Sequence, residues 1–382
     1  MQKLDLILNG AELHHGVSGV NVYLRLLTEA LLSPPETLNW RLAVPRPCVQ
    51  HAQFLPENRL LIVEGRDVGG YDARSLYWNH RLAQHVRKFH PEAVFHSVFH
   101  FWTPLPPHKL VVTVHDCIEQ IEPSVRPKSF KTRAHRWLCR HTTRHARAVV
   151  AISEWTKSQA IDIQKIAPKK ISVLYNWVRS ACLQPVSLEN IEAMRRRHNL
   201  PDNYIAYVGG YRAYKNVEFL ISAWNLARQS QPMPPLVLAG QIPDSSTNHG
   251  FFCDIHGAAK LAGASAQEVV LPGLIPDEDL PAFYAGASLF VSPSRQEGFG
   301  YPAVEAIACK TPVLVSDASV YPELVPEKHL RFALTDPNIL AGRMREAITN
   351  PDHFCRPLDP RFTAAYGKIR YEQLIRKVLT DS

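Results

Sequence analysis

Two glutamates, Glu297 and Glu305, have seven residues between them and lie on either side of the segment 298–300, which reads Gly-Phe-Gly. An apolar run predicts a buried strand before this segment, and Pro302 suits the first turn of a helix after it. The glycines would let the backbone approach a ligand closely, and the free N–H groups of a helix start attract phosphate or another anion. The two carboxylates can therefore contact one bound molecule from a loop and from a helix.

Two cations, Arg212 and Lys215, lie on a second glycine-containing turn, residues 209–216. This turn follows residues 204–208, which predict a strand. Arginine and lysine on such a turn suit a diphosphate, which offers charge and hydrogen-bond acceptors to both. An ordinary solvated role for Arg212 stays open.

A histidine and an aspartate, His115 and Asp116, end the apolar run 110–114. Parallel α/β sheets bind their ligands at the carboxyl ends of strands, so this pair is a third candidate for the site. The nearby His96 and His100 are four residues apart but fall in a predicted strand and loop. That spacing does not bring their rings together there, so no metal site is expected.

A glycine-containing turn, residues 14–20, joins the first predicted strand, 4–8, to a predicted helix, 21–32. Turns of this kind bind phosphate in many α/β sheets, so this turn is a further candidate. The turn lacks the dinucleotide fingerprint, so a nicotinamide cofactor is not expected. The alternative is that the glycines serve only the turn.

Apolar runs alternate with helical patterns along the chain, which is typical of doubly wound α/β folds. The 382 residues, 46% of them hydrophobic, are enough for two cores. The polar segment 186–203 is expected to lie near the linker between the domains. No apolar run of about 18 residues occurs, and the first apolar segment is interrupted by Asp5, so neither a spanning helix nor a signal peptide is predicted.

The cysteines are odd in number, scattered, and never in a C-x-x-C pair, which predicts a reduced, cytoplasmic setting without a cysteine-bound metal. The formal charge is +8, so an anionic partner fits the composition. Much of the excess lies in residues 126–147, which contain arginine, lysine and histidine but no acid. This segment predicts either a helix on an anionic membrane surface or an ordinary solvated face. No RNA-binding motif or zinc spacing supports nucleic acid as the partner.

The string EGFGYPAVEAIACKTPV, followed by Ser319 and the pair Pro322-Glu323, resembles the donor-binding signature of glycosyltransferase family 4. That family is retaining and has the GT-B fold. The resemblance implies two Rossmann-like domains facing across a cleft, with a final helix that crosses back to the first domain. The expected bounds are 1–185 for the acceptor domain, 186–360 for the nucleotide-sugar donor domain and 361–382 for the helix.

Other segments resemble the same family, with departures. VVTVHD matches, and Lys215-Asn216 match a turn in which Gly210 stands where arginine is usual. Arg212, two residues later, is expected to supply the missing charge. Trp177 and Lys310 replace glycines that are usual in the family, and Tyr175 replaces a proline.

The resemblance implies a role for each candidate. Lys215 and Arg212 would stabilise the leaving diphosphate, and His115 would orient the sugar or the acceptor. Glu297 would hold sugar hydroxyls, or act as a nucleophile in a double displacement. Glu305 would bind ribose and Asp277 would cap a helix. The further donor contacts would come from Gly19, Asp116, Gly298, Phe299 and Gly300.

These features predict a hexosyltransferase that needs no metal or cofactor and takes a nucleotide diphosphate sugar as co-substrate. The turn 209–216 and the segment HDCIEQ are most similar to bacterial mannosyl- and rhamnosyl-transferases of surface polysaccharide, such as O-antigen or lipopolysaccharide. A GDP-linked donor and a glycan or lipid-linked acceptor are therefore expected, in the cytoplasm and peripheral to the inner face of the cell membrane. A nucleotide-sugar epimerase and a catalytically silent sugar-nucleotide-binding partner remain alternatives.

Overall fold

The computed structural model describes residues 4–13, 19–66, 68, 71–125, 130–241 and 252–380, with the backbone alone at 4, 71–73 and 131–132. The chain forms two compact units. The first contains Met1–Gln120, Pro127–Trp177 and Thr363–Ser382, and the second contains Ile121–Arg126 and Val178–Phe362.

The strands and helices of the first half follow the predicted alternation. The strands are β1 Leu4–Asn9, β2 Leu38–Pro45, β3 Leu60–Val63, β4 Val94–Ser97, β5 Leu110–Val114, β6 Ala148–Ala151 and β7 Ile171–Val173. The helices are α1 Gly19–Leu32, α2 Tyr71–Phe89, α3 Ile118–Ile121, α4 Phe130–His145 and α5 Glu154–Asp162. Ser153 caps α5 as its residue type predicts, since its side chain accepts a hydrogen bond from the Thr156 N–H.

Across the described part of the first unit, seven parallel strands form one sheet in the order β3-β2-β1-β4-β5-β6-β7. Parallel strands are buried on both faces, and β4, β5 and β6 are buried along their whole length. The order reverses between β1 and β4, and the register pairs Leu8 with His96 there. Such a switch point leaves a crevice at the carboxyl ends of the strands.

The second half continues with its own alternation. Its strands are β8 Ile205–Val208, β9 Leu236–Ala239, β10 Val269–Gly273, β11 Leu289–Ser292, β12 Val313–Ser316 and β13 Arg331–Phe332. Its helices are α6 Leu188–His198, α7 Val217–Arg228, α8 Ile255–Leu261, α9 Leu280–Ala285, α10 Tyr301–Ala308, α11 Tyr321–Leu324 and α12 Pro337–Thr349, and the chain then ends in α13 Ala364–Thr380.

The second unit repeats the first topology. Among its described residues, six parallel strands lie in the order β10-β9-β8-β11-β12-β13, with the switch point between β8 and β11. The register pairs Leu289 with Ile205 at that point. The loops that leave β8 and β11 therefore lie side by side at the carboxyl edge of this sheet.

The final helix, α13, belongs to the first unit. Tyr371 on α13 is buried, and its hydroxyl lies 2.7 Å from His96 Nδ1 on β4. Gly367 lies against the ring of Trp177, so close that a Cβ built there would be 2.1 Å from Cε3. The tryptophan that replaces a family glycine is thus a buried contact for the last helix.

The polar segment 186–203, which was expected to lie near the linker, contains a helix. This helix is α6, whose N-cap is Ser187; Ile191 and Met194 on this helix are buried, whereas Leu188 is exposed. Sparse apolar positions among many charges hide a helix of this kind from the pattern. The compact units change between Trp177 and Val178, and the domain bounds expected from the sequence stay predictions.

Candidate functional site

The two cations Arg212 and Lys215 lie on the loop that leaves β8, beside the switch point of the second unit. Arg212 is exposed and precedes a single 3₁₀ turn, Ala213–Lys215. Asn216 follows in the left-handed region, with φ 59°, where asparagine is better tolerated than most residues. This turn directs Lys215 toward the neighbouring β11 loop.

Glu297 on the β11 loop forms an ion pair with Lys215. Lys215 Nζ donates to Glu297 Oε1 at 2.6 Å, and Ser294 Oγ donates to the same oxygen at 2.9 Å. The side chains are 18% exposed for Lys215 and 12% for Glu297, so the pair is screened from most solvent. The structure thus brings together two residues that the sequence predicted for one site from segments 82 residues apart.

The backbone of Glu297 is fixed by Ser319. The Ser319 hydroxyl accepts from the Glu297 N–H at 2.8 Å and donates to the Glu297 carbonyl at 2.7 Å. Ser319 itself has φ 58°, a strained backbone for a residue with a side chain. The carboxylate is therefore held in place by its loop as well as by its ion pair.

Gly300 turns the β11 loop into α10. It is the N-cap, with φ 74°, and a Cβ there would lie 2.9 Å from the Tyr321 ring. Pro302 sits in the first turn of the helix, as its residue type predicts. Phe299 is buried and packs on Tyr301 and Phe362, so its side chain serves the core, and only its backbone could meet a ligand. The first N–H groups of α10 lie at the same edge as Glu297.

Glu305, on α10, is 1% exposed. Arg179 Nη1 donates to its Oε1, and the Tyr284 hydroxyl donates to its Oε2 at 3.2 Å. Burial raises the pKa of the Glu305 carboxyl above its ordinary value, and the guanidinium of Arg179 offsets part of this effect. Glu297 and Glu305 are thus paired with different cations.

Arg179 was not singled out from the sequence. Its Nη2 also donates to Asp277 Oδ1 at 3.0 Å, so the guanidinium bridges two carboxylates. Burial acts to lower the pKa of Arg179, but the nearby charges of Glu305 and Asp277 outweigh it and raise that pKa. No local pattern marks this arginine, because its partners lie 98 and 126 residues away.

The helix cap expected at Asp277 is wrong. Asp279 is the N-cap of α9, and it pairs with Arg197 and with His198 Nε2, the latter at 2.8 Å. Asp277 points to Arg179 instead. The Asp277-Glu278-Asp279 spacing could suggest a metal, but its two aspartates face different arginines. Within the described ranges, no three histidine, cysteine or acidic side chains cluster as metal ligands would.

Arg295 is a second residue that sequence reasoning missed. Its Nη2 donates to the Ala213 carbonyl at 3.0 Å, and its backbone N–H donates to the Tyr214 carbonyl at 2.8 Å. These bonds tie the β11 loop to the cationic turn after β8. Its place two residues before Glu297 was the one available signal.

His115, at the end of β5 in the first unit, is held by its neighbours. Its Nε2 donates to the Val98 carbonyl at 2.6 Å, and Tyr23 meets its ring edge-on at 5.1 Å between centroids. Burial lowers the pKa of His115 to about 4, so the ring is neutral near pH 7 with Nδ1 unprotonated. Asp116 accepts from the Ile118 N–H at 3.0 Å and so begins α3.

Gly19 is the first residue of α1, and a Cβ built on it would meet nothing within 4 Å. The chain itself therefore does not require glycine at this position. The rest of the predicted turn, 14–18, including Gly16, lies outside the described residues.

Solved structures with a similar architecture include GT-B glycosyltransferases. Sucrose-phosphate synthase from Thermosynechococcus elongatus matches with TM-score 0.71 at 20% identity, over 100% of both chains. Anabaena HepE in complex with UDP-glucose matches with TM-score 0.66 at 16% identity, over 99% of this chain and 100% of that one. The predicted fold class, α/β with two Rossmann-like units of the GT-B type, is confirmed.

Two family models match along the sequence. Residues 17–181 match Glycosyltransferase Family 4, and residues 190–361 match Glycosyl transferases group 1. The two models lie on successive halves of the chain and both describe glycosyltransferases, so the chain carries a family 4 domain followed by a group 1 domain, as its motifs indicated.

The curated relatives include O-antigen mannosyltransferases. WbdA of Escherichia coli, a serotype-specific mannosyltransferase, is 28% identical over 59% of this chain and 27% of its own length. O-antigen chain mannosyltransferase B of Escherichia coli is 28% identical over 61% of this chain and 59% of its own length. RfbU of Salmonella typhimurium is 24% identical over 71% of this chain and 69% of its own length. The matches to the first two of these relatives thus span about a quarter and about three fifths of their lengths.

Proposed function

We propose that this chain is a retaining hexosyltransferase that moves a mannose-type or rhamnose-type sugar from a GDP-sugar to a hydroxyl of a glycan or lipid-linked acceptor in O-antigen or lipopolysaccharide synthesis. The observation that carries the proposal is the Lys215–Glu297 pair, at the switch point of the second unit beside the start of α10. One cation, one carboxylate and a row of backbone N–H groups suit a sugar diphosphate.

The leaving diphosphate would be stabilised by charge. As the bond from sugar to phosphate breaks, negative charge grows on the phosphate oxygens, and Lys215 can interact with it more strongly than with the ground state. The exposed Arg212 at the start of the same turn adds a second cation. The N–H groups at the start of α10 add partial positive charge. These groups would let the reaction proceed without a metal.

Glu297 would bind hydroxyls of the donor sugar. Its Oε1 already accepts from Lys215 and Ser294, which stabilises the negative charge and makes that oxygen a poorer nucleophile. A double displacement through Glu297 is therefore disfavoured. The alternative is a same-face substitution, in which the leaving phosphate takes the proton from the acceptor hydroxyl. His115, neutral with Nδ1 unprotonated, would accept a hydrogen bond from a sugar or acceptor hydroxyl.

Glu305 would accept hydrogen bonds from the two ribose hydroxyls. Each carboxylate oxygen has two lone pairs, so the bonds from Arg179 and Tyr284 leave acceptor capacity on both oxygens. This would anchor the nucleotide on α10 while the diphosphate meets the loop before it. Gly19, Gly298, Gly300 and Asp116 remain proposed donor contacts.

The sugar and base are proposed from the relatives. WbdA, O-antigen chain mannosyltransferase B and RfbU are mannosyltransferases by name. HepE, which shares the fold, is described in complex with UDP and with UDP-glucose, so a UDP-sugar is the direct competitor. The GDP-linked donor is favoured because the named relatives act on mannose.

A panel of donors tests the function. The protein is incubated with GDP-mannose, UDP-glucose and related nucleotide sugars, with and without a lipid-linked acceptor, and nucleotide release and products are followed. Acceptor-dependent release of GDP is the expected result. An isomerised donor would mark an epimerase, and binding without turnover would mark a silent partner.

The acceptor side is proposed to lie on an anionic membrane, at the cytoplasmic face, through residues 126–147. Residues 126–129 fall outside the described ranges, but α4 carries a solvent-facing stripe of Phe130, Arg133, Trp137, His141 and His145. Phe130 is 82% exposed and Trp137 62%, which suits aromatic insertion at a lipid interface. Arg136, Arg140 and Arg144 instead bond the protein through Glu119 and the Gln164 carbonyl. Within the described part of the chain, no helix has both the length and the apolarity to cross a bilayer.

Binding to vesicles tests this surface. Trp137→Ala should weaken binding to vesicles containing phosphatidylglycerol about tenfold in a sedimentation assay, because it removes the central aromatic group of the stripe. Phe89→Ala, at another exposed aromatic residue that is 57% exposed, is the matched control and should bind as the wild type does. Equal binding by wild type and Trp137→Ala would contradict the membrane assignment.

A further inference from the structure

Arg179 is the buried cation of a carboxylate cluster on the second unit. Its side chain is 14% exposed, and it bridges Glu305, which is 1% exposed, and Asp277, which is 52% exposed. It lies two residues after Trp177, next to Val178 at the start of the long segment of the second unit, and directly before the 3₁₀ turn Ser180–Leu183. Nothing in the proposed chemistry of the diphosphate requires this residue.

Glu305 needs help to act as a ribose ligand. A carboxylate accepts hydrogen bonds from both ribose hydroxyls, whereas a protonated carboxyl presents a donor of its own at one oxygen. Among the described residues, five titratable groups lie around Glu305. Arg179 and Asp277 carry charge, Tyr284 donates from α9, and the thiols of Cys182 and Cys309 lie beside them. Among these, Arg179 is the cation.

We infer that Arg179 is a positioning residue for nucleotide binding, which holds Glu305 in the charged form and in the rotamer that receives the two ribose hydroxyls. The inference rests on the proposed function, because it takes the ligand of Glu305 to be a ribose. It adds a residue from the start of the second unit to a site otherwise built on α10 and two loops. Asp277 shares the guanidinium and so weakens its effect on Glu305.

The inference predicts a pH dependence with a definite sign. Burial raises the pKa of Glu305, and Arg179 opposes that effect. Without the guanidinium the pKa of Glu305 would rise further, so the carboxylate would take up a proton at a higher pH than in the wild type. Asp277→Asn should act in the opposite direction, because it removes a negative charge that raises the pKa of Glu305 and leaves Arg179 to Glu305 alone.

The experiment measures nucleotide binding by calorimetry between pH 6 and pH 8. GDP and UDP are tried with the wild type, and whichever binds more tightly is the probe, together with its 2′-deoxy form. The variants are Arg179→Met and Asp277→Asn, and Arg228→Met is the matched control. Arg228 also pairs with a glutamate of the second unit, Glu268, and caps the Ala262 carbonyl at 2.8 Å. Affinities are expressed as ratios to wild type at each pH, which cancels the titration of the nucleotide phosphate itself.

Arg179→Met should bind the probe at least tenfold more weakly than wild type at pH 6, with a smaller deficit at pH 8. It should also lose the preference of the wild type for the ribonucleotide over the 2′-deoxy form. Arg228→Met should match wild type at both pH values. Asp277→Asn, an exposed substitution that should not disturb folding, should bind at least as tightly as wild type at pH 6, because loss of this carboxylate leaves Arg179 to Glu305 alone.

The outcomes separate the inference from the function. If Arg179→Met loses the same affinity at every pH, or keeps the preference for the ribonucleotide, the positioning role is wrong. The proposed function would still stand in that case, provided that the wild type binds the nucleotide. If Arg179→Met does not fold, weaker binding by Asp277→Asn than by wild type at pH 6 would overturn the inference by itself. A wild type that binds neither GDP nor UDP would overturn the proposed function and the inference together.

Discussion

Lys215 is the residue on which the proposed chemistry depends most. In the described structure its ammonium group pairs with the carboxylate of Glu297, which is 12% exposed. Two hydrogen bonds between Ser319 and the Glu297 backbone fix the loop that carries this carboxylate. A bound diphosphate would share the same ammonium group. Lysine suits this dual role, because its three donors can face two anions at once.

Replacing Lys215 tests this role. Lys215→Met should lower kcat about 10²–10³-fold, the usual loss when one preorganised charge is removed from a transition state. Lys328→Met, an exposed lysine of the same unit, is the control and should keep full turnover. The measurement is steady-state release of nucleotide in the presence of acceptor.

A second variant separates catalysis from folding. Lys215→Met leaves Glu297 without its cation, so the double variant Lys215→Met/Glu297→Gln should recover stability but not turnover. Full activity in Lys215→Met would remove Lys215 from the mechanism. Recovery of activity in the double variant would assign Lys215 a structural role only.

His96 gives the first unit a predicted pH dependence. It is fully buried between Tyr371 and Thr113, and burial lowers its pKa to about 3. The unfolded chain takes up a proton near pH 6.5 that the folded chain refuses, so this contribution to stability is present above that pH and is lost as pH falls toward 3. Between pH 7 and pH 5 the loss is about 2 kcal/mol, and His115 acts in the same direction.

The variant His96→Gln should lose less stability between pH 7 and pH 5 than wild type does, by about 2 kcal/mol, in urea unfolding followed by circular dichroism. The exposed His108→Gln is the matched control and should keep the wild-type dependence. A His96→Gln curve parallel to wild type across this range would contradict the buried, neutral histidine.

At the scale of elements, two residues that depart from the family pattern each have a structural consequence, one at α13 and one after α10. Trp177 stands where the family has glycine, and it fills the space against Gly367 on α13. Lys310, where the family has glycine again, follows α10 with φ 63°, a conformation that glycine adopts at lower cost. The first departure is compensated by another residue, whereas the second is retained with backbone strain.

The contact between Trp177 and α13 predicts a stability effect. Gly367→Ala should destabilise the protein by about 1–3 kcal/mol, because its Cβ would overlap the indole ring and the helix backbone must move. Gly342→Ala on α12 is the matched control, since the nearest atom to its Cβ would be Arg345 Nη2 at 3.9 Å. The control should be neutral or stabilising by up to about 1 kcal/mol. Equal thermal midpoints for the two variants would contradict the close packing of α13.

The buried strands and the β11 loop could be predicted from the sequence because their signals are local. Residues 110–114 are apolar except for Thr113 and form β5 with those bounds, and Pro302 marks the start of α10. Family motifs predicted Lys215 and Glu297 for one site, whereas the ion pair between them was seen only in the structure. The partners of Glu305 could not be predicted, because Arg179 and Tyr284 reach it through tertiary packing that leaves no sequence pattern. The helix α6 was missed since its charges outnumber its apolar residues.

At the scale of the molecule, the chain folds the same strand order twice, each time with a switch point between the first and fourth strands of its unit. The second unit places a cation, two acids and a helix start around its switch point. The first unit places His115 at the carboxyl end of β5. We propose a donor site on the second unit and an acceptor function for the first, which gives each of these residues a role.

The configuration of the product tests the central claim most directly. The protein is incubated with ¹³C-labelled GDP-α-mannose and a lipid-linked glycan acceptor, and the one-bond C–H coupling at the new anomeric carbon is measured by NMR. The proposal predicts a mannose joined to the acceptor in the α configuration, with one GDP released for each linkage. A β-linked product would contradict retention, and the absence of acceptor-linked sugar with every nucleotide sugar in the panel would contradict the transferase itself.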